Sequence, residues 1–155
     1  MFERTENGPV VAPVPELRRA GTSDLDHVLE VNASMAFEEG GANPIQTDPS
    51  GFRLRAERRI QQGRVWIWRN QSKLVFKADV IGHTPEMIYL EGIHVHPEER
   101  RKGYGKRCLS QLSSILLNQS RSICLTVNQR KANAVAFYAK AGFNYHSEYQ
   151  TIYLQ

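Results

Sequence analysis

The chain has 155 residues, of which 41% are hydrophobic and 23% charged, and its formal net charge is +4 at pH 7. This mixture is typical of a soluble globular protein with one sizeable core, and no apolar run approaches the roughly 18 residues of a membrane span. The first residues lack the basic-then-apolar order of a secretory signal, so we expect a cytoplasmic protein. The small positive excess suits a site for a small polyanion as well as nucleic acid.

The first 15 residues are rich in glycine and proline and poor in large apolar side chains. This composition predicts a flexible leader or linker over residues 1–15, so we expect the folded domain to span residues 16–155. Residues 17–20 fit a short first strand.

Two helices are predicted to follow. Ser23 and Asp26 have the spacing of a capping box at the start of the first helix, and the glycines at positions 40 and 41 end it. The second helix is predicted to begin after Asp48 and to end at Gly63. It is strongly basic, which indicates either a solvated face or a surface for an acidic partner or substrate. Its arginines are Arg53, Arg55, Arg58 and Arg59.

The rest of the chain alternates between strand and helix patterns. Strands are predicted at residues 65–69, 74–80, 87–95, 122–127 and 145–154, and helices at residues 108–116 and 133–141. Hairpins come first and a strand-helix-strand unit follows. The order therefore predicts an α/β domain with a mixed sheet.

Metal chemistry finds little support in the sequence. Cys108 and Cys124 lie among apolar neighbours without metal-ligand spacing, so we expect buried free thiols. His94 and His96 stand two apart on a predicted strand and share a face, but two ligands do not make a zinc site. No metal is expected.

The segment between the strand at 87–95 and the next helix carries the chemical signal. It reads Arg100-Arg101-Lys102-Gly103-Tyr104-Gly105-Lys106. A helix start offers unpaired N–H groups, and glycines let the backbone approach a phosphate closely. The P-loop pattern is absent, and Cys108 stands where a dinucleotide fingerprint needs its third glycine. Alone, this loop predicts a pyrophosphate cradle and a simple helix cap equally well.

Two longer blocks resemble the GNAT N-acetyltransferases. Residues 88–107 are similar to the family pattern I-x-V-x-P followed by [QR]-x-x-G-x-[GA], and residues 128–143 resemble a second family block. The matching residues of the first block are Ile93, Val95, Pro97, Arg100, Gly103 and Gly105. Those of the second are Asn133, Ala136, Phe137, Tyr138, Gly142 and Phe143.

The resemblance implies a GNAT fold with a mixed, mostly antiparallel sheet, flanking helices and a splayed central strand pair. It implies acetyl-CoA as co-substrate, with the pantetheine arm between the splayed strands and the pyrophosphate on the amides of residues 101–106. The acetyl group would pass to a primary amine by direct attack in a ternary complex. The residues implied in cofactor binding are Ile93, His94, Val95, Arg100, Arg101, Lys102, Gly103, Tyr104, Gly105, Lys106, Asn133 and Phe137.

Two side chains are candidates for proton transfer. By the resemblance, Tyr138 would stand near the thioester sulfur and protonate the departing thiolate, although it could also fill core. Glu91, on the strand before the loop, would act as the general base through water, or it is an exposed strand carboxylate. Strand alternation places Glu91 and His94 on opposite faces unless a bulge intervenes.

The acceptor and the wider role stay open. We expect a small-molecule or peptide amine, no nucleic acid and no membrane, and a homodimer is an open alternative. Glu38, Glu39 and Asp48 could attract a cationic amine. Residues 37–40, 63–64 and 76–79 are similar to segments of bacterial GNAT proteins with an additional N-terminal domain, which implies the catalytic half of a longer chain.

Two other functions compete with the enzyme. One is a non-catalytic or regulatory acyl-CoA-binding module on the same fold. The other is a nucleic-acid-binding domain, suggested by the net charge and the basic helix, although the chain has no helix-turn-helix, zinc or RNA-binding motif.

Overall fold

The structure, a computed structural model, describes residues 1–8, 12–148, 150 and 152. The strands in this part of the chain are β1 (Phe2–Arg4), β2 (Arg18–Arg19), β3 (Val65–Asn70), β4 (Lys73–His83), β5 (Met87–Val95), β6 (Ser122–Leu125) and β7 (Asn144–Tyr145). The helices are α1 (Leu25–Gly40), α2 (Pro44–Thr47), α3 (Pro49–Gln61), α4 (Tyr104–Leu116) and α5 (Ala132–Lys140). Single 3-10 turns cover Thr22–Asp24 and Pro97–Glu99.

All seven described strands join one sheet in the order β2-β3-β4-β5-β6-β1-β7. Neighbouring strands pair antiparallel, except β5 and β6, which are parallel. A parallel pair needs a crossover, and α4 supplies it. The predicted α/β fold with a mixed, mostly antiparallel sheet is therefore confirmed.

Short polar residues start the helices on one side of the sheet. Asp48 precedes α3, and its carboxylate accepts a hydrogen bond from the Gly51 amide at 3.0 Å, as the sequence predicts for a helix beginning there. Before α1 the cap belongs to the 3-10 turn Thr22–Asp24, and it differs from the predicted one. The carboxylate of Asp24, rather than the pair Ser23 and Asp26, accepts the Gly21 amide at 2.8 Å.

The sheet separates two apolar cores, as the strand alternation requires. One core packs against α4 and the other against α1 and α3. The α4 core includes Phe76, Ala78, Val80, Ile88, Leu90, Cys108, Leu109 and Leu112. The other includes Val28, Leu29, Ala56, Ile60, Val65, Ile67 and Leu74. Cys108 and Cys124 are buried free thiols, as expected.

The N-terminal segment differs from the flexible leader that its composition predicts. β1 lies within the sheet, paired with both β6 and β7. Val14 is only 1% exposed, and the Gln111 side chain accepts from its amide at 2.6 Å and donates to its carbonyl at 2.8 Å. The few apolar side chains of this segment are enough to anchor it, because strand pairing depends on distant partners rather than on local composition. The domain boundary at residue 16 stays a prediction.

At the other end of the chain the described strand is short. β7 covers only Asn144–Tyr145, whereas the sequence predicts a strand over residues 145–154. Residues 149, 151, 153 and 154 of that prediction lie outside the described part. None of the described helices has the length and apolar character needed to cross a membrane.

Candidate functional site

The parallel strands β5 and β6 pair over only part of their length. Four residue pairs join them, from Met87 with Ser122 to Leu90 with Leu125. β6 ends there, whereas β5 continues to Val95 and pairs with β4 alone. Among the described residues, the β5 backbone beyond Leu90 therefore has one edge without a strand partner. Such an edge offers N–H and C=O groups to an extended ligand.

A β-bulge interrupts β5 at this edge. Lys77 pairs with His94 and Asp79 with Glu91, so a single residue of β4 faces two residues of β5. Gly92, one of those two, has φ of +59°, and a Cβ there would lie 2.8 Å from the Lys77 Nζ atom. Only glycine fits this position.

The bulge changes which side chains share a face. Residues paired across strands point to the same side of a sheet. Glu91 and His94 pair with Asp79 and Lys77, which stand two apart on β4. Glu91 and His94 therefore lie on one face, which simple alternation would have prevented.

A buried ion pair lies directly beneath the bulge. The Lys77 side chain is 0% exposed, and its Nζ donates to Asp79 Oδ2 at 2.7 Å and to the Gly92 carbonyl at 3.2 Å. Burial lowers the pKa of Lys77, and the charge of Asp79 opposes that shift. Arg59 of α3 approaches Asp79 Oδ2 at 3.6 Å. These contacts place Lys77 and Asp79 on the α3 side of the sheet, together with Glu91 and His94.

His94 is held neutral at this site. Burial, followed by the charges of Arg100, Lys77 and His96, lowers the pKa of His94 to about 4. Its imidazole is therefore uncharged at pH 7 and can accept a hydrogen bond. The described residues contain no group of three metal-ligating side chains.

The loop 100–105 joins this edge to α4. The Arg100 Nε donates to the Val95 carbonyl at 3.0 Å, which ties the loop to the end of β5. Arg101 and Gly103 both have positive φ, of 63° and 81°. Gly103 is the N-cap of α4 and caps it without a side chain. Alternating left-handed residues of this kind turn successive amides toward one side.

The amides of this loop have spare hydrogen-bonding capacity. Within the described part of the chain, the amides of residues 101–106 have no hydrogen-bond acceptor. A Cβ added to Gly103 would meet no atom within 4 Å, so the space beside it is open. At Gly105 a Cβ would lie 2.7 Å from Val95 Cγ2. These unpaired amides at a helix start fit a pyrophosphate.

Aromatic residues border the loop. The Tyr104 ring stacks edge-on against Trp68, with centroids 4.9 Å apart. Phe137 of α5 lies 3.2 Å from the position of a Gly105 Cβ. α5 therefore packs against the start of α4. Asn133 on the first turn of α5 is exposed and has no side-chain hydrogen bond to the described residues.

Tyr138 lies in an aromatic cluster. Its ring centroid is 6.5 Å from that of Phe2, 5.2 Å from Phe137 and 6.3 Å from Phe143. Burial raises the pKa of Tyr138 to about 12, so its hydroxyl stays protonated at neutral pH. That hydroxyl has no hydrogen-bond partner among the described residues. It is a donor that the fold itself does not use.

A family model for the acetyltransferase (GNAT) domain matches residues 61–145. This match includes the bulged strand, the loop and α5. The chain belongs to the GNAT acetyltransferase family. No curated protein matches the chain.

Solved structures show the same GNAT fold. An acetyltransferase from the GNAT family of Colwellia psychrerythraea is 18% identical at a TM-score of 0.71, covering 92% of this chain and 50% of its own. A possible acetyltransferase from Clostridium difficile 630 is 20% identical at a TM-score of 0.68, and the match covers 90% of this chain and 96% of the Clostridium difficile protein. A predicted acetyltransferase from Clostridium acetobutylicum, solved with acetyl-CoA, is 17% identical at a TM-score of 0.68. That match covers 88% of this chain and 94% of the Clostridium acetobutylicum protein. The chain thus spans half the length of the Colwellia protein and nearly all of the other two.

The GNAT domain brings together most, but not all, of the residues selected from the sequence. Glu91 and the residues from Ile93 to Lys106 follow one another along the bulged strand and loop, and Phe137 joins them through α5. No described contact joins Tyr138 or Asn133 to the loop. Sequence reasoning missed Lys77 and Asp79. The sequence did carry a signal for them, because two charged residues alternate with apolar ones within a predicted strand.

The acidic residues predicted to attract an amine occupy a different region. A groove of about 610 Å³ lies between α1, α2 and α3, but Glu38, Glu39 and Asp48 are not among its lining residues. Asp48 is engaged by Arg55 at 3.1 Å. The groove also shares no lining residue with β5 or with the loop 100–105.

Proposed function

We propose that this GNAT domain moves an acetyl group from acetyl-CoA to a primary amine by direct attack in a ternary complex. One observation carries the proposal: the free edge of β5 leads directly into a helix start whose amides are unpaired. A strand edge suits an amide-containing arm, and unpaired amides suit a diphosphate. The strand edge and the unpaired amides follow one another along the chain.

The residues of this edge and loop would divide the binding between them. The amides of residues 101–106 would hold the pyrophosphate, and the backbone of Ile93 and Val95 would bond the pantetheine arm beside His94. Arg101 and Lys106 have no carboxylate partner within the described residues, so their charges are available to phosphate. When bound, acetyl-CoA supplies an activated acetyl thioester. Tyr104, Phe137 and Asn133 would border it.

Glu91 is the proposed general base. It is exposed, and the bulge holds it on the face that α3 covers. A carboxylate there can take a proton from an ammonium through one water molecule. We expect Glu91→Gln to lower kcat on the order of 100-fold, while acetyl-CoA affinity stays unchanged. The pH–rate profile of the variant checks this, and unchanged rates across pH would assign Glu91 to structure.

Tyr138 is the proposed general acid. A tyrosine hydroxyl is protonated at neutral pH, and burial raises the pKa of Tyr138 further, to about 12. No described residue accepts its proton. The Oη atom could therefore donate to a thiolate leaving group. This transfer needs no enzyme nucleophile and no metal ligand set.

Calorimetry with acetyl-CoA, followed by an amine panel with a free-thiol readout, tests the function. Wild-type protein should bind acetyl-CoA below roughly millimolar concentration and release CoA only when an amine is present. Gly105→Val should abolish binding, because Val95 leaves no room for a Cβ. Gly40→Ala is the matched control, since no atom lies within 4 Å of a Cβ there. Binding without transfer to any amine would indicate the non-catalytic module instead.

A further inference from the structure

A small basic pocket lies beside α3 and the β4 residues Val80 and Ile81. Its volume is about 280 Å³, enough for an anionic group but less than a drug-sized molecule occupies. The residues that line it are Arg55, Arg58, Arg59, Gln62, Arg64, Val80 and Ile81. Four of these seven are arginines, and none is acidic. We call this site the arginine pocket.

The charges of the arginine pocket are only partly balanced. Asp48 engages Arg55 at 3.1 Å, and Asp79 lies 3.6 Å from Arg59. Arg58 and Arg64 have no carboxylate partner among the described residues, and Arg64 makes only a long bond of 3.4 Å to the Ile81 carbonyl. Two exposed guanidinium groups therefore remain without a carboxylate partner. Guanidinium binds carboxylate and phosphate through paired hydrogen bonds.

Helix electrostatics explain only part of this arrangement. Arg58 and Arg59 stand in the last turn of α3, where cations interact favourably with the helix dipole. Arg64 lies beyond the helix, just before β3, and converges on the same pocket. The Arg64 amide donates to the Arg59 carbonyl at 3.0 Å, so the chain itself brings Arg64 beside the end of α3. The helix dipole gives no reason for a third cation at this place, whereas a shared anionic ligand does.

The arginine pocket adjoins the proposed base through Asp79. Asp79 pairs across the strands with Glu91, and its carboxylate approaches Arg59. The next two residues of β4, Val80 and Ile81, line the pocket itself. An acceptor whose amine reaches Glu91 would therefore extend over Asp79 toward the arginines.

We propose that the acceptor amine carries an anionic group, a carboxylate or a phosphate, which binds in the arginine pocket. This inference rests on the proposed function. Arg58 and Arg64 are then the specificity-determining residues, because they bind the part of the acceptor that does not react. Their positive field would also concentrate such acceptors at the site. Glu38 and Glu39 suggest a cationic acceptor, whereas the arginine pocket favours an acceptor that carries an anionic group.

Matched amine pairs test the charge preference. The probes are β-alanine against propylamine, for a carboxylate, and O-phosphoethanolamine against ethanolamine, for a phosphate. Initial rates of CoA release are compared at equal concentrations of free base. We expect kcat/KM to be roughly 10- to 100-fold higher for the anionic member of at least one pair, which is the range for hydrogen bonds to charged groups. The preference should shrink as salt concentration rises.

Charge-removing variants locate that preference. The double variant Arg58→Gln/Arg64→Gln should abolish it by raising KM for the anionic amine, while rates with the neutral amine and the Kd of acetyl-CoA stay unchanged. Arg53→Gln is the matched control, because Arg53 is on the same helix but pairs with Asp26 and lines the other groove. Melting temperatures of both variants should match that of the wild type.

The outcomes separate this inference from the proposed function. Wild-type transfer to neutral and anionic amines at equal rates would overturn the inference and leave the transferase standing, as would a preference retained in the double variant. Acetyl-CoA binding without transfer to any probe would overturn the transferase and the inference together. A preference in only one pair would identify the anion as carboxylate or as phosphate.

Discussion

The two faces of β4 and β5 differ in what they contribute. On the α4 face, Phe76, Ala78 and Val80 are buried in an apolar core. On the opposite face of the same strands, Lys77 and Asp79 are buried beneath the bulge as an ion pair. Burying apolar side chains stabilises the fold directly, whereas a buried ion pair contributes little net stability. The difference indicates that the charged face is retained for the site and not for the fold.

The largest effect is expected from breaking the ion pair on the charged face. Lys77→Met leaves the buried Asp79 carboxylate with only the more distant Arg59, at 3.6 Å, so the free energy of unfolding should fall by up to about 3–5 kcal/mol. The double variant Lys77→Met/Asp79→Leu should regain most of that loss, because it removes the unpaired charge. Urea denaturation measures both. Equal losses in the single and double variants would contradict the conclusion that this ion pair contributes little net stability.

The apolar face should respond differently to truncation. Leu109 of α4 is 0% exposed in the core, so Leu109→Ala should lower the free energy of unfolding by about 2–5 kcal/mol. No second substitution at a charged group should rescue it, since the loss comes from a cavity. Leu54→Ala is the control, because Leu54 is 46% exposed on α3. Denaturation curves that shift equally for both variants would argue against the α4 core.

Tyr138→Phe tests a proton donor without changing the packing of either face. The ring remains in its aromatic cluster, so acetyl-CoA affinity should hold, while kcat falls on the order of 100-fold. Tyr145→Phe is the matched control, because the Tyr145 ring also contacts Phe2, at 6.0 Å. Rates of CoA release across pH provide the measurement. A near-normal kcat would leave Tyr138 as packing.

The smallest effect is expected at a buried carboxylate far from the bulge. Hydrogen bonds from Arg18, together with the Gly21 amide and the charge of Arg69, lower the pKa of Asp24. A carboxylate of this kind stabilises the fold fully above its unfolded pKa of about 3.9, and loses that contribution as pH falls through the lower, folded value. Asp24→Asn should therefore melt with a weaker acid dependence than the wild type. Identical pH profiles by calorimetry would refute this.

The sequence by itself determined the local elements. Helical and alternating periodicities are local properties, so the helix after Asp48, the strand Met87–Val95 and the helix after the loop were all predictable. The same holds for the loop 100–105, because glycine and basic residues before a helix have the same physical consequences in any fold.

Only the tertiary structure decided which of these elements share a site. The bulge at Gly92 depends on register with β4, and that register puts Glu91 and His94 on one face. The pairing of β1 with β6 joins residues far apart in the chain, such as Phe2 and Leu125. Strand register and side-chain convergence depend on partners distant in sequence, so no local pattern carries them.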